Sequence, residues 1–370
     1  MHAQGARLTI ASIEDSFSRE DSASFLPIDV RLFPTVGPKA YGFSPALRAY
    51  LNQFRWDVLH HHGMWMDSGA AVSAASRRFG SPVIIHPHGM LTPWALRHSR
   101  WKKHVVGWLW QYRSLRRATC FRALSENEVS DIRALDISAP IALIPNGVDL
   151  VELDALPPPT AFEESFPQTR GKKRLLFLSR LHPKKGLPDL LNAWTRLSSR
   201  NRREWVLILA GPNEIGHEEF LRSMVERLGI ENEIIFPGPI YAQRKREALG
   251  AADAFVLPSL SEGLPMAVLE AAASRLPSLI TTECHLSDLA TSGAAIEVVP
   301  GAAPLLQGLQ TLFALSREER RTMGNLARQE VENRYMWKNL AHQTVEVSNW
   351  LVEGGKKRSA PACIRWPNPL

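Results

Sequence analysis

The second half of the chain alternates short apolar runs with longer amphipathic segments. The apolar runs are nearly uncharged and have the length of strands that are buried on both faces. They lie near residues 174–179, 205–210, 233–237, 253–257 and 277–281. Helical patterns lie between them, near residues 187–198, 217–228, 243–250 and 264–274. This order predicts an α/β domain with a doubly wound parallel sheet.

The first half shows the same alternation. Strand patterns occupy residues 7–12, 57–61 and 82–87 and the start of the segment IALIPNGVD at 141–149, and helical patterns occupy residues 45–54 and 67–79. A second Rossmann-like domain is therefore expected. RALSENE at 122–128 places Ser125 three residues before Glu128, which is a capping-box pattern.

Composition sets the predicted domain boundaries. Residues 153–173 carry PPP, scattered acids and GKK, which is typical of a linker, and the last residues are rich in Pro and without periodicity. The predicted organisation is an N-terminal domain over 1–152, a linker over 153–173, a C-terminal domain over 174–336, a crossover helix over 337–352 and a disordered tail over 353–370.

Overall composition is that of an ordinary globular protein. The 370 residues are 45% hydrophobic and 22% charged, with a formal net charge of +7. The excess of positive charge indicates an anionic partner without identifying it. Cys120, Cys284 and Cys363 match no metal or redox spacing, and no run of residues has the length and apolarity of a membrane span. We expect a cytoplasmic protein, or one attached to the inner membrane face at its surface.

One stretch concentrates the positive charge. Residues 92–119 contain no acid, and Trp, Leu and Tyr side chains alternate there with basic residues that include Arg97, Arg100, Lys102 and Lys103. Such a stretch is typical of a membrane-surface helix or of an anion-binding surface. A helix pair that covers the sheet with solvated cations explains the pattern equally well, and nucleic acid binding uses similar residues.

Histidines cluster at two predicted strand ends. His60, His61 and His62 suggest a metal site, but adjacent strand residues point to opposite faces and cannot all chelate one ion, so no metal is expected. His88, in HPHGM at 86–90, follows a strand's carboxyl end, where open α/β sheets bind ligands. A structural turn histidine remains the alternative for His88.

The segment DAFVLPSLSEGLPMAVLEAAAS at 253–274 predicts a strand, a tight loop and a helix. The free N–H groups and the dipole at a helix N-terminus attract phosphate, Gly263 permits close approach of a ligand, and Pro265 suits a helix start. Glu262 and Glu270 would repel a phosphate there, unless they bind neutral sugar hydroxyls. The same domain carries LSRLHPKKGL, in which Arg180 and Lys185 can neutralise a diphosphate, and LILAGP, in which Gly211 ends a strand.

At these motifs the chain resembles the retaining, nucleotide-sugar-dependent glycosyltransferases of family 4. SEGLPMAVLEAAA is similar to their E-x7-E motif, and LSRLHPKKGL, HPHGM and PNGVD match further segments in order. The resemblance implies the GT-B fold, in which two Rossmann-like domains face each other across a cleft. It also implies transfer from a nucleotide diphosphate sugar, which we expect to be a UDP- or GDP-sugar, with retained anomeric configuration. The basic stretch suggests a glycan or a polyprenyl-phosphate-linked molecule as the acceptor. Cell-surface polysaccharide synthesis is the expected setting, with no metal, no cofactor and no nucleic acid partner.

The resemblance also implies roles for individual residues. Arg180, Lys185 and the helix start at Leu264, Pro265 and Met266 would bind the diphosphate, with Gly211 and Gly263 close to the donor. Glu270 would bind the ribose and Glu262 the transferred sugar. His88 would reach that sugar from the other domain.

The family's first strand and its Gly-rich loop have no counterpart before residues 7–12. We therefore expect an N-terminally truncated or mis-started chain. Two other functions stay open on the sequence alone: a catalytically impaired nucleotide- or glycan-binding remnant, and an adaptor for nucleic acid or membranes that uses the basic stretch.

Overall fold

The computed structural model describes residues 1–97 and 111–367. Contacts group the chain into two compact units, Met1–Pro145 with Lys338–Leu370 (unit 1) and Asn146–Trp337 (unit 2). In the described part of the chain, no helix combines the length and apolarity that crossing a bilayer requires.

Strands alternate with helices throughout both units. The strands are β1 Thr9–Ile13, β2 Asp29–Phe33, β3 Leu59–His62, β4 Val83–His86, β5 Cys120–Ala123, β6 Ile141–Leu143, β7 Lys173–Leu178, β8 Trp205–Ala210, β9 Ile234–Gly238, β10 Ala254–Leu257, β11 Ser278–Thr281, β12 Ala295–Val298 and β13 Ile364–Arg365. The helices are α1 Ser18–Ser22, α2 Pro45–Leu51, α3 Ser68–Phe79, α4 Pro93–Arg97, α5 Tyr112–Arg116, α6 Glu126–Arg133, α7 Pro159–Ser165, α8 Leu187–Thr195, α9 Ser199–Glu204, α10 His217–Leu228, α11 Ala242–Ala251, α12 Met266–Ala273, α13 Ser287–Thr291, α14 Ala302–Ala314, α15 Arg317–Arg334 and α16 Trp337–Val352.

Unit 2 contains a six-stranded parallel sheet in the order β12-β11-β10-β7-β8-β9. Strands β7, β8 and β10 are buried almost completely, as their continuous apolar runs predict. The chain order reverses between β7 and β10. An open α/β sheet binds ligands at such a switch point, beyond the carboxyl ends of its strands.

Unit 1 contains a five-stranded sheet in the order β13-β6-β5-β4-β3 and a separate two-stranded parallel sheet, β1-β2. Ile13 and Phe33 from the smaller sheet pack against the same apolar core as β3, β4 and β5. The α/β class and the two Rossmann-like units expected from the sequence are confirmed.

The predicted linker and tail differ from the structure. Residues Pro159–Ser165 form a helix, and Phe162 is 2% exposed within the core of unit 2. The PPP run starts that helix instead of bridging two domains, because Pro is tolerated in a first helical turn. The tail prediction is also wrong for Ile364–Arg365, which pair antiparallel with β6. Backbone pairing orders this segment without any periodic side-chain pattern.

Candidate functional site

The loops that follow β7 and β10 lie side by side because their strands are hydrogen-bonded neighbours. The first loop runs from Ser179 through the 3-10 turn Pro183–Lys185 to Gly186, and the second runs from Pro258 to Pro265. The backbone N–H of Leu260 donates to the carbonyl of Lys184 at 2.7 Å. These two loops carry Arg180, Lys185 and Glu262, which the sequence predicts, at the switch point of the sheet.

Lys185 and Glu262 form a buried ion pair in this place. Lys185 Nζ contacts Glu262 Oε1, and the two side chains are 6% and 8% exposed. Ser259 Oγ donates to the same oxygen at 2.6 Å, and the Glu262 N–H donates to the Glu283 carbonyl at 3.1 Å. Among the described residues, these side-chain contacts fall on Oε1, so Oε2 retains its capacity to accept hydrogen bonds from a ligand.

Two glycines allow this close approach of loops. A Cβ on Gly186 would lie 2.0 Å from the Pro258 carbonyl oxygen, and one on Gly211 would lie 1.8 Å from the Ser179 carbonyl oxygen. Both also have left-handed or otherwise positive φ values, +66° and +150°. In this structure Gly211 supports the loop after β7 through backbone contact with Ser179.

Arg180 lies in the same loop but has a different partner. Arg180 Nη1 is 2.8 Å from Glu214 Oε2, and the Arg180 side chain is 52% exposed. Burial lowers the pKa of the neighbouring Lys184, and the charges of Lys185 and Arg180 lower it further, whereas Glu262 and Glu214 act in the opposite direction. Arg180 and Lys185 therefore share one loop but pair with different carboxylates, Arg180 with Glu214 and Lys185 with Glu262.

Glu270 has a different hydrogen-bond partner from the Lys185–Glu262 pair. It lies in α12, and its Oε1 accepts a hydrogen bond of 2.9 Å from Lys245 Nζ in α11. Helix α12 begins at Met266, two residues later than the sequence pattern indicates, with Pro265 as its N-cap. No described side chain caps this helix start, which leaves its first N–H groups available to an anion. Gly263 and Leu264 lie in the loop that leads to it.

Cys284 also lies beneath this site. It is fully buried, and burial raises the pKa of its thiol to about 12. A thiol in that state is a poor nucleophile, so Cys284 is a packing residue.

In unit 1, His88 follows β4 with a φ of +52°, and Gly89 follows it with a φ of +75°. The loop is held by Glu128, which is 2% exposed. Glu128 Oε1 accepts from the Gly89 N–H at 2.6 Å and Oε2 accepts from the Leu124 N–H at 2.7 Å. Ser125 caps helix α6, as the sequence predicts. The Glu128 carboxylate instead accepts hydrogen bonds from the Gly89 and Leu124 amides, so Glu128 also helps to position His88.

His88 belongs to a group of histidines at the carboxyl ends of β3 and β4. His62 Nδ1 lies 3.0 Å from His88 Nε2, and His60 Nδ1 lies 3.0 Å from His86 Nε2. Burial lowers the pKa of His60 to about 4 and lowers the pKa of His88 below its usual value. These two rings are neutral at physiological pH and able to accept a hydrogen bond.

The basic stretch falls mostly beyond what the structure describes. Arg100, Lys102 and Lys103 lie outside the described residues, and Arg97 is described only as the last residue of α4. The role assigned to them stays a prediction.

Several contacts at these sites went unrecognised in the sequence. Glu214 holds Arg180, Lys245 holds Glu270, Ser259 holds Glu262, and Glu128 holds the loop of His88. Ser259 and Glu214 each follow a strand end within a few residues, which is a signal that sequence analysis could have used. Lys245 lies in a helix with many exposed charges, and nothing in its pattern distinguishes it.

Two family models match the chain. The model of the "Glycosyl transferases group 1" family matches residues 160–330, and that of the "Glycosyl transferase 4-like domain" matches residues 1–147. These two ranges correspond to the main parts of units 2 and 1.

Individual glycosyltransferases are also similar to this chain in sequence. An uncharacterized glycosyltransferase of Methanocaldococcus jannaschii is 24% identical over 68% of this chain and 64% of its own length. The UDP-Gal:alpha-D-GlcNAc-diphosphoundecaprenol alpha-1,3-galactosyltransferase of Escherichia coli is 26% identical over 64% of this chain and 60% of its own length. The chain thus matches somewhat less than two thirds of each of these relatives.

Solved structures share the fold. Anabaena HepE, in complex with UDP and glucose, is 16% identical, with a TM-score of 0.73 over 92% of this chain and 98% of that one. Together with the two family models and the strand order of both units, this similarity identifies the fold as GT-B. The chain belongs to the family-4 glycosyltransferases.

Proposed function

We propose that this chain transfers a sugar from a nucleotide diphosphate sugar to an acceptor hydroxyl with retention of anomeric configuration. The observation that carries the proposal is the buried Lys185–Glu262 pair at the switch point of the unit 2 sheet. A buried ion pair contributes little net stability compared with apolar residues of the same size. A charged pair in this position is better explained by ligand binding.

The cationic groups suit a departing diphosphate. Its negative charge grows as the bond to the sugar breaks, so fixed positive charges stabilise the transition state more than the bound donor. Lys185 and Arg180 supply two such charges, and the open N-terminus of α12 adds backbone donors beyond Leu264 and Pro265.

The carboxylates suit the neutral rings on either side of the diphosphate. Glu262 is neutralised on Oε1 by Lys185, which reduces its repulsion of phosphate and leaves Oε2 for a sugar hydroxyl. Glu270, neutralised in the same way by Lys245, is assigned to the ribose hydroxyls. His88, neutral and held by Glu128 through Gly89, is assigned to the transferred sugar.

For the donor we favour a UDP-sugar over a GDP-sugar, because UDP and glucose are the ligands named for HepE. For the acceptor we propose a glycan linked to a polyprenyl phosphate, of the kind named for the Escherichia coli relative. Cell-surface polysaccharide synthesis at the cytoplasmic membrane face is the corresponding setting. Arg97, Arg100, Lys102 and Lys103 are assigned to the anionic acceptor or lipid surface.

The test is a thermal-shift screen against UDP-, GDP- and ADP-sugars, followed by a donor-hydrolysis or transfer assay with the best of them. We expect stabilisation by one nucleotide class and turnover that Lys185→Ala abolishes. Arg200→Ala is the matched control, since Arg200 is an exposed cation of unit 2 that precedes the amino-terminal end of β8. Binding without turnover would support the impaired remnant, and no binding of any nucleotide sugar would contradict the proposal.

A further inference from the structure

Three histidines of unit 1 converge on one point. His60 and His62 are two residues apart on β3 and therefore share a face, and His62 is paired in register with His86 on β4. One nitrogen from each ring lies within 4.8 Å of the other two. We call this group the three-histidine cluster. The alternation of strand faces removes only His61, which points away and bonds to Ser68 Oγ at 3.1 Å.

Ser348 fixes the tautomer of the first ring. The Ser348 hydroxyl donates its single proton to the Thr344 carbonyl at 2.7 Å. Its oxygen must therefore accept the hydrogen bond of 3.3 Å from His60 Nε2. Neutral His60 then carries its proton on Nε2 and presents the lone pair of Nδ1 to the cluster. A partner that orients a ring in this way is typical of histidines that ligate metals.

His86 supplies the third nitrogen. It is 3% exposed, and its Nε2 lies 3.0 Å from His60 Nδ1, whereas its Nδ1 is buried without a hydrogen-bond partner among the described residues. No side chain therefore fixes the tautomer of His86, and Nε2 is the nitrogen that faces the cluster. His62, in contrast, is exposed and gives the cluster access to solvent.

We propose that the three-histidine cluster binds a transition-metal dication of the zinc class. Imidazole nitrogens are preferred ligands of Zn²⁺, Ni²⁺ and Cu²⁺, and sites with three protein ligands keep a position open for a further one. Zinc lies about 2.0–2.1 Å from each imidazole nitrogen. The rings of His62 and His86 are stacked, with centroids 4.1 Å apart, so binding requires the exposed His62 ring to turn out of this stack.

The test uses the whole chain, freed of metal with a chelator and then titrated with Zn²⁺ alone by calorimetry. We expect one ion per chain, with affinity at least about 10-fold lower in His62→Gln and in His60→Gln. His342→Gln is the control, because His342 is an exposed histidine of the same unit. Ser348→Ala should weaken binding about 10-fold without removing a ligand.

Cobalt gives an independent spectroscopic readout. The Co²⁺ form should show the visible absorption of a nitrogen-ligated, low-coordinate centre, and His62→Gln should lose that absorption while melting like the original protein. Equal zinc affinity in His62→Gln, His342→Gln and the original protein would overturn the proposal. So would the absence of stoichiometric binding, which would leave the cluster as a hydrogen-bonded chain of imidazoles. Neither result bears on sugar transfer.

Discussion

Lys185 and Glu262 are separated by 77 residues in the chain and form an ion pair in which both side chains are less than one tenth exposed. Lys185→Met should remove the cation and leave a buried carboxylate without its partner. The expected loss of unfolding free energy is about 3–5 kcal/mol, measured by urea denaturation. Adding Glu262→Gln should restore part of the loss. A Lys185→Met protein as stable as the original would contradict this account of the pair.

Gly186→Ala should destabilise the protein more than Gly171→Ala. Both glycines have left-handed φ values, +66° and +72°, so both substitutions incur the backbone cost of about 1–2 kcal/mol. Only at Gly186 would the new Cβ also collide with a carbonyl oxygen, that of Pro258, since nothing lies within 4 Å at Gly171. Thermal or urea unfolding measures the difference. Equal losses would mean that the two loops separate easily.

Glu128→Ala should reduce transfer through His88 without altering any residue assigned to the donor. It leaves the buried amide of Leu124 without an acceptor, at a cost of roughly 1–3 kcal/mol, and releases the half-buried amide of Gly89. We expect a fall in kcat with a smaller change in the KM for the donor. Glu126→Ala, on the same helix but exposed and paired with Arg365, is the control and should leave kcat unchanged. A normal kcat in Glu128→Ala would remove the positioning role.

His217 should make unit 2 sensitive to acid. Burial lowers the pKa of His217 below its usual value of 6.5, so the native protein holds the ring neutral while the unfolded chain binds a proton. The stability due to the neutral ring is complete above about pH 6.5 and declines as the pH falls. His217→Phe retains stacking on Phe220 and should show a weaker decline between pH 7 and pH 5 in unfolding experiments. An identical decline in the original protein and in His217→Phe would contradict the role assigned to His217.

The sequence predicted the site best where one local pattern contained it. The strand, loop and helix around Glu262 were recognisable because an apolar run, a Gly-Pro turn and an Ala-rich helix follow one another directly. The contact with Lys185 was not predictable from that pattern, since it depends on β7 and β10 being neighbours in the sheet.

The sequence patterns did not reveal contacts between side chains of different elements. Arg180 pairs with Glu214 and Glu270 pairs with Lys245, and in each case a residue from another element decides the charge balance. The histidines that group together are His60 and His62 from β3 and His86 from β4, so comparing His60, His61 and His62 with one another does not find them. Local spacing cannot reveal a ligand set that a sheet assembles.

The pairing of Ile364 and Arg365 with β6 has a consequence for the behaviour of shortened chains. An uncovered strand at the border of a sheet offers its free amides and carbonyls to any other molecule with a similar border. Here the tail covers that border, and Arg133 Nη2 secures it through a 3.0 Å hydrogen bond to the Arg365 carbonyl. A protein cut before Ile364 should therefore aggregate on concentration, even where the residues assigned to sugar transfer are intact.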